Sequence, residues 1–256
     1  MTHSSKRPPP ASPQSSLEST GRVFDGSTRP AGSPTGPTTA WPASWYDESC
    51  TDCPRLSAFL DTVKVEQPDY YCRPVAPFGD PAAQLLVVGL APGKHGANAT
   101  GRPFTGDYAG VLLYSTLHQF GFASSPESNH VNDGLVLSNC RITNAVKCLP
   151  PQNKPTGEEE KMCSHFLANE MAQPDLKVIL ALGSLAHRSI LRCLGLRLNR
   201  YAFAHNACHQ LENNITLVNS YHCSRYNTPT RRLTEPMFHD VFRRINTILS
   251  QTPPPR

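Results

Sequence analysis

Four short apolar runs stand out from a polar background: "QLLVVGL" at 84–90, "CRITNAVKC" at 140–148, "KVILALG" at 177–183 and "ITLVNSY" at 215–221. Short runs rich in Val, Ile and Leu, bounded by loop residues, suit buried parallel strands. Between them the spacing turns helical. "YAGVLLYSTLHQFGF" follows the first run, "GEEEKMCSHFLANEM" the second, "SLAHRSILRCLG" the third and "TEPMFHDVFRRINTILSQ" the fourth. Gly195 is placed to stop the third helix, and Thr234 to cap the fourth, with Pro236 in its first turn. Alternation of this kind predicts an α/β fold with a parallel sheet and helices on both faces, in which ligands bind beyond the carboxyl ends of the strands.

The residues that leave those strand ends are therefore expected to share one crevice. They include Ala91, Pro92 and a long glycine-rich loop after the first run, Asn144 and Lys147 in the second, Gly183 and Ser184 after the third, and Tyr221, His222, Cys223 and Ser224 after the fourth.

Composition narrows the setting. Residues 1–44 are dominated by Pro, Ser, Thr and Gly without apolar periodicity, and are expected to be a disordered tail, as is 251–256; the domain is expected over 45–250. The tail has no continuous apolar core of a secretory signal, and no run of about 18 apolar residues occurs elsewhere. The expectation is a soluble, intracellular protein without a membrane partner, cytoplasmic and nucleoid-associated if bacterial. A net charge of +4 is too mild to announce a nucleic-acid binder, so any basic face must come from clustering.

Nine cysteines are many for an intracellular chain, and their odd number argues against a disulfide framework. Cys50 and Cys53 form a C-x2-C pair in "ESCTDCPRL", and Cys148 and Cys163 bracket the proline-rich "LPPQNKPTGEEEKM". Four thiolates from two such elements suit either a tetrahedral zinc or an iron–sulfur cluster, and spacing does not choose between them. The other five cysteines stand singly and read as core or incidental residues.

Taken together, "GLAPGKHGANATGRPFTGD", "TNAVKCLPPQNKPT" followed by "EEEKMC", "CTDCPRL" and "NSYHCSRYNTPTRRLT" make the chain resemble the iron–sulfur uracil-DNA glycosylases of type B, or family 5, over roughly residues 45–250. The resemblance implies a three-layer α/β/α sandwich around a four-stranded parallel sheet. It also implies a structural [4Fe-4S] cluster on Cys50, Cys53, Cys148 and Cys163. The implied reaction is hydrolysis of the N-glycosidic bond of an extruded deaminated nucleotide, which leaves an abasic site for base excision repair. The substrates implied are DNA carrying uracil or hypoxanthine, with xanthine or etheno adducts in addition, acted on by a monomer.

By the same resemblance, Phe104 stacks on the base, Asn144 pairs with its polar edge and His222 donates to the base oxygen that gathers charge. Ala91 replaces an acidic or amide residue found elsewhere in the superfamily, so Asn98 and Asp107 are the candidates for positioning water. Asp107 reads equally as the N-cap of the next helix. Arg225, Arg231 and Arg232, with Tyr226, are expected to meet DNA, and Lys94, Arg102 and Lys147 to add phosphate contacts. Two positions depart from the pattern: Cys223 stands where a His-Pro-Ser motif has Pro, and Ala99 where Arg is common. A catalytically weak damage-binding protein and a zinc-stabilised nucleotide or phosphoester hydrolase are the alternatives left open.

Overall fold

The computed structural model describes residues 41–251. The expectations for residues 1–40 and 252–256 lie outside them. Within the predicted tail, Trp41 stacks on Trp45 at 5.6 Å, and Ser44 accepts a hydrogen bond from the Asn169 amide, so packing begins before residue 45.

All four anticipated strands form, as β2 (Leu85–Gly89), β3 (Cys140–Asn144), β4 (Val178–Leu182) and β6 (Thr216–Ser220), and every residue in them is buried. They pair in parallel in the order β3-β2-β4-β6. Among the described residues the sheet is nevertheless six-stranded and mixed, which corrects the expected four-stranded parallel one. β1 (Phe78–Gly79) and β5 (Cys208–Gln210) add antiparallel edges beside β3 and β6. Strands of two and three residues carry no apolar run, and only their tertiary partners define them.

Alternation along the strands divides the core. Leu85, Val87, Ile142, Leu180 and Val218 face α3 (Tyr108–Gln119) and α6 (Glu235–Gln251). Leu86, Val88, Ile179, Ala181 and Leu217 face α4 (Gly157–Met171) and α5 (Ser184–Cys193). Helices thus cover both sides of a sheet whose successive side chains point opposite ways.

The helix ends follow local chemistry. Thr156 and Glu159 form a reciprocal capping box at the start of α4. After α5, Gly195 takes φ +67°, and the Leu196 N–H returns to the Leu191 carbonyl at 2.8 Å, a Schellman closure. Thr234 Oγ1 accepts from the Met237 N–H at 3.4 Å at the head of α6. Helix α1 (Pro54–Glu66) was not anticipated, although Leu56, Leu60 and Val63 give its buried face a helical period. The short α2 (Ala97–Thr100) lies inside the glycine-rich loop.

Candidate active site

The chain leaves β2 toward β3 on one side and later enters β4 on the other, so the connections diverge between β2 and β4. A cavity of about 440 Å3 opens at that switch point, beyond the carboxyl ends of the strands. Ala91, Phe104, Asp107, Asn144, His222 and Arg232 all line it, although they come from widely separated parts of the sequence.

Two of its wall residues, Phe104 and Asn144, pack against Gly89. A β-carbon there would stand 2.4 Å from Asn144 Oδ1 and 2.8 Å from Phe104 Cζ, so only glycine lets both side chains close over the end of β2. Phe104 and Asn144 are buried. Phe104 holds φ +55°, a left-handed conformation that bulky residues rarely adopt. Its surroundings fix it there: Tyr114 donates its hydroxyl to the Pro103 carbonyl at 2.7 Å, and the Phe104 carbonyl occupies the place of a side chain at Gly110.

His222 follows β6 and packs its β-carbon over Gly183, with its ring 5.9 Å from that of Phe104 and tilted by 30°. Asn227 Nδ2 donates to the His222 carbonyl at 2.8 Å, which steadies the turn without a proline. Burial pushes the imidazole pKa down to about 4, so it is neutral at pH 7 and able to donate one N–H. Cys223 is completely buried in the core beneath, filling the space with a thiol.

The two water-positioning candidates go different ways. Asn98 is fully buried, donates to Cys72 Sγ at 3.4 Å and does not line the cavity. Asp107 does line it. Its Oδ1 accepts from the Gly110 N–H at 2.9 Å as the N-cap of α3, while its Oδ2 would meet a β-carbon at Gly96 at 2.6 Å. Oδ1 of Asp107 is thus taken by the cap, and its Oδ2 lies against Gly96. Burial raises its pKa, against opposing hydrogen bonds from Gly110 and Ala109.

All three loop arginines, Arg225, Arg231 and Arg232, are exposed; Arg232 lines the cavity and lies over Tyr221 at 4.8 Å, and the Arg225 guanidinium stands 6.0 Å from the Tyr108 ring centre. Tyr226 is exposed beside them. Of the other three expected phosphate contacts, those at Arg102 and Lys147 are corrected by burial, whereas Lys94 stays partly exposed. Arg102 is buried, bound to both oxygens of Asp133 and stacked over Phe78. Lys147 is buried against Glu170 at 2.6 Å, and Lys94 pairs with Glu66 at 2.7 Å. Arg102 thus joins two loops, and Lys147 joins the end of the β3 run to α4.

Cys50, Cys53, Cys148 and Cys163 come together around a small void of about 20 Å3, walled also by Leu56, Val146 and Phe166. Burial, and after it the neighbouring sulfurs of Cys163, Cys50 and Cys53, pushes the Cys148 thiol up. The Lys147 backbone N–H donates to Cys163 Sγ at 3.4 Å. Among the described residues, no three His, Cys, Asp or Glu side chains are arranged around a single metal ion. The donor set is all sulfur, in a wall that is mostly apolar but also holds Asp52, Ser57, Lys147 and His165, and it fits a group bound by thiolates. Ala91 packs against this lobe and also lines the cavity.

Asn153, Phe203 and Leu185 line the cavity without having been anticipated. Asn153 sits at a turn bracketed by prolines, a signal of an exposed tip, whereas nothing in the local pattern around Phe203 announces a wall residue.

The profile of the Uracil DNA glycosylase superfamily matches residues 76–246. A type-5 uracil-DNA glycosylase of Thermus thermophilus is 45% identical over 199 residues, covering 75% of this chain and 90% of that protein. Namesakes from Mycobacterium leprae and Pyrobaculum aerophilum are 41% and 40% identical, over 76% and 79% of this chain and 89% and 93% of theirs. The matched stretch runs from β1 into α6 and contains every wall of the cavity. On that footing the chain belongs to the uracil-DNA glycosylase superfamily, among its type-5 members.

Proposed function

We propose that this protein excises uracil, and with it hypoxanthine and xanthine, from DNA. The observation that carries the reading is the convergence of Phe104, Asn144 and His222 on one cavity at the switch point. A flipped base enters against the Phe104 ring, and the Asn144 amide meets its polar edge. As the glycosidic bond breaks, electrons pass to the base and the sugar becomes cation-like. The neutral His222 imidazole donates its N–H to the base oxygen where that charge gathers, a stabilisation that acts mostly in the transition state. Asp107 orients the water that adds to the anomeric carbon and accepts its proton, leaving an abasic site and the free base.

Breadth of substrate follows from Ala91 and cavity size. A methyl group contributes no hydrogen bond that selects one base, and about 440 Å3 accommodates a purine as readily as a pyrimidine. On the rim, Arg225, Arg231 and Arg232 are assigned to phosphate contacts, which position DNA without reading sequence.

The four converging thiols are assigned to a four-iron cluster of structural role, held by Cys50, Cys53, Cys148 and Cys163. Such a cluster joins the segment before α1 to both the loop before α4 and α4 itself. Purified protein is expected to carry about four irons and four inorganic sulfides per chain, and stoichiometric zinc with neither would overturn this assignment. Function is tested with duplexes bearing one uracil, hypoxanthine or xanthine. Abasic sites at all three support the reading, uracil alone restricts it, and tight binding without product favours a damage-binding protein.

A further inference from the structure

The loop between Cys148 and Cys163 does more than connect two ligands of the cysteine lobe. It reaches the cavity mouth and places Asn153 in its wall. Gln152 and Asn153 both hold φ +56°, and the turn is closed by the Asn153 N–H to the Pro150 carbonyl and the Lys154 N–H to the Pro151 carbonyl, each at 3.1 Å. Two successive left-handed residues make a rigid tip rather than a slack connection.

That tip is held from the other half of the lobe. Arg55, two residues after Cys53, binds both oxygens of Glu159 at 2.7 Å and donates to the Lys154 carbonyl at 3.2 Å. Glu159 in turn accepts from the Thr156 N–H at 2.7 Å. One bidentate clamp thus links α1, the start of α4 and the base of the tip.

Depth indicates what Asn153 meets. Phe104 and Asn144, which handle the base, are buried, whereas Asn153 is exposed at the mouth. The tip itself reads Gln152-Asn153-Lys154, two amides and a cation with no carboxylate, a set suited to an anionic oxygen. We propose that Asn153 is a substrate-binding residue that donates to a phosphodiester flanking the extruded nucleotide, and that Arg55 is the positioning residue that holds it there. The inference rests on the glycosylase reading for the presence of an extruded nucleotide. It also gives the cysteine lobe a task in recognition: to deliver a side chain to the cavity.

The test measures binding separately from excision, using a duplex whose deoxyuridine carries a 2′-fluoro group that resists cleavage. Asn153→Ala is expected to weaken binding about tenfold, as for loss of a hydrogen bond to a charged group. On the cleavable uracil duplex the loss is expected mainly in the enzyme concentration needed for half-maximal single-turnover rate, and less in the maximal rate. Arg55→Gln gives a smaller loss of the same kind, and the double variant binds no more weakly than Asn153→Ala alone. Replacing the phosphodiester on one side of the uridine by an uncharged methylphosphonate abolishes the penalty of Asn153→Ala. Unchanged binding in folded Asn153→Ala, a full penalty with methylphosphonate on either side, or additive effects of the two substitutions would overturn the proposal. A wild type that binds these duplexes without excising uracil would instead overturn the glycosylase reading, while the binding comparison still decides the role of Asn153.

Discussion

Gly89 makes room for Asn144: a β-carbon on residue 89 would lie 2.4 Å from Asn144 Oδ1, well inside contact distance. These residues pair across β2 and β3 in the parallel register, so the end of one strand shapes the working end of its neighbour. Gly89→Ala must displace the Asn144 amide, the Phe104 ring or both. The expected result is a folded protein whose uracil excision falls by about 100-fold, the order of a misplaced binding group. Near-normal single-turnover rates would show that the wall tolerates the shift.

His222 is read as a neutral donor. His222→Ala is expected to lower the excision rate by about 100–1000-fold while binding to uncleavable uracil duplex is retained, because the donor acts on developing charge. Equal losses in rate and binding would contradict that role. Its depressed pKa also bears on stability. Between pH 6.5 and about 4 the unfolded chain takes up a proton at this residue that the folded chain excludes, so stability falls as pH drops through that window. Urea denaturation across these pH values is expected to show a weaker fall in His222→Ala than in the wild type.

Asp107 caps α3 and is proposed to orient the water, and two substitutions separate these roles. Asp107→Asn keeps an oxygen for the cap, so its thermal stability is expected to match or exceed that of the wild type, since it also removes a buried charge that burial disfavours. Its excision rate falls steeply. Asp107→Ala loses the rate and about 1 kcal/mol of stability as well. The raised pKa sets the sign of the acid limb: activity declines as pH falls and Asp107 takes up a proton, above its ordinary value of 3.8. An acid limb that stays in place in the residual activity of Asp107→Asn would assign that ionisation elsewhere.

Arg102 belongs to the scaffold, whereas Arg232 belongs to the rim. Arg102→Met strands Asp133 and is expected to cost about 3–5 kcal/mol in urea denaturation, while leaving the salt dependence of DNA binding unchanged. Burial alone would raise the Asp133 pKa. The Leu135 N–H and the Arg102 guanidinium outweigh it and hold the carboxyl at about 2, so the stability it provides is lost as pH falls from 3.8 toward 2. Arg232→Gln is expected to do the opposite, with little change in stability and a salt slope shallower by about one counterion. A reversed pattern would move the DNA surface to the glycine loop.

The interior of the fold was legible because each parallel strand is buried on both faces and must be a continuous apolar run. The edge strands β1 and β5 lacked that constraint, being short and fixed only by pairing. Asn144 and His222 could be placed from their positions at strand ends, and Phe104 from its place in the glycine loop. Charge at Arg102 and Lys147 was misleading, because composition does not reveal that Asp133 and Glu170 wait in distant segments to neutralise them. Asn98 and Asp107 looked alike as polar loop residues. Their separation depends on which way α2 and the N-terminus of α3 turn their side chains, a matter of backbone geometry several residues away.

In the proposed reaction, the cavity at the β2–β4 switch point hydrolyses the glycosidic bond of an extruded uracil. It is tested most directly by incubating purified protein with a duplex containing one uracil under single-turnover conditions and measuring abasic sites. Stoichiometric abasic sites are expected from the wild type and nearly none from His222→Ala in the same time. Absence of product from the folded wild type, or undiminished product from His222→Ala, would contradict it.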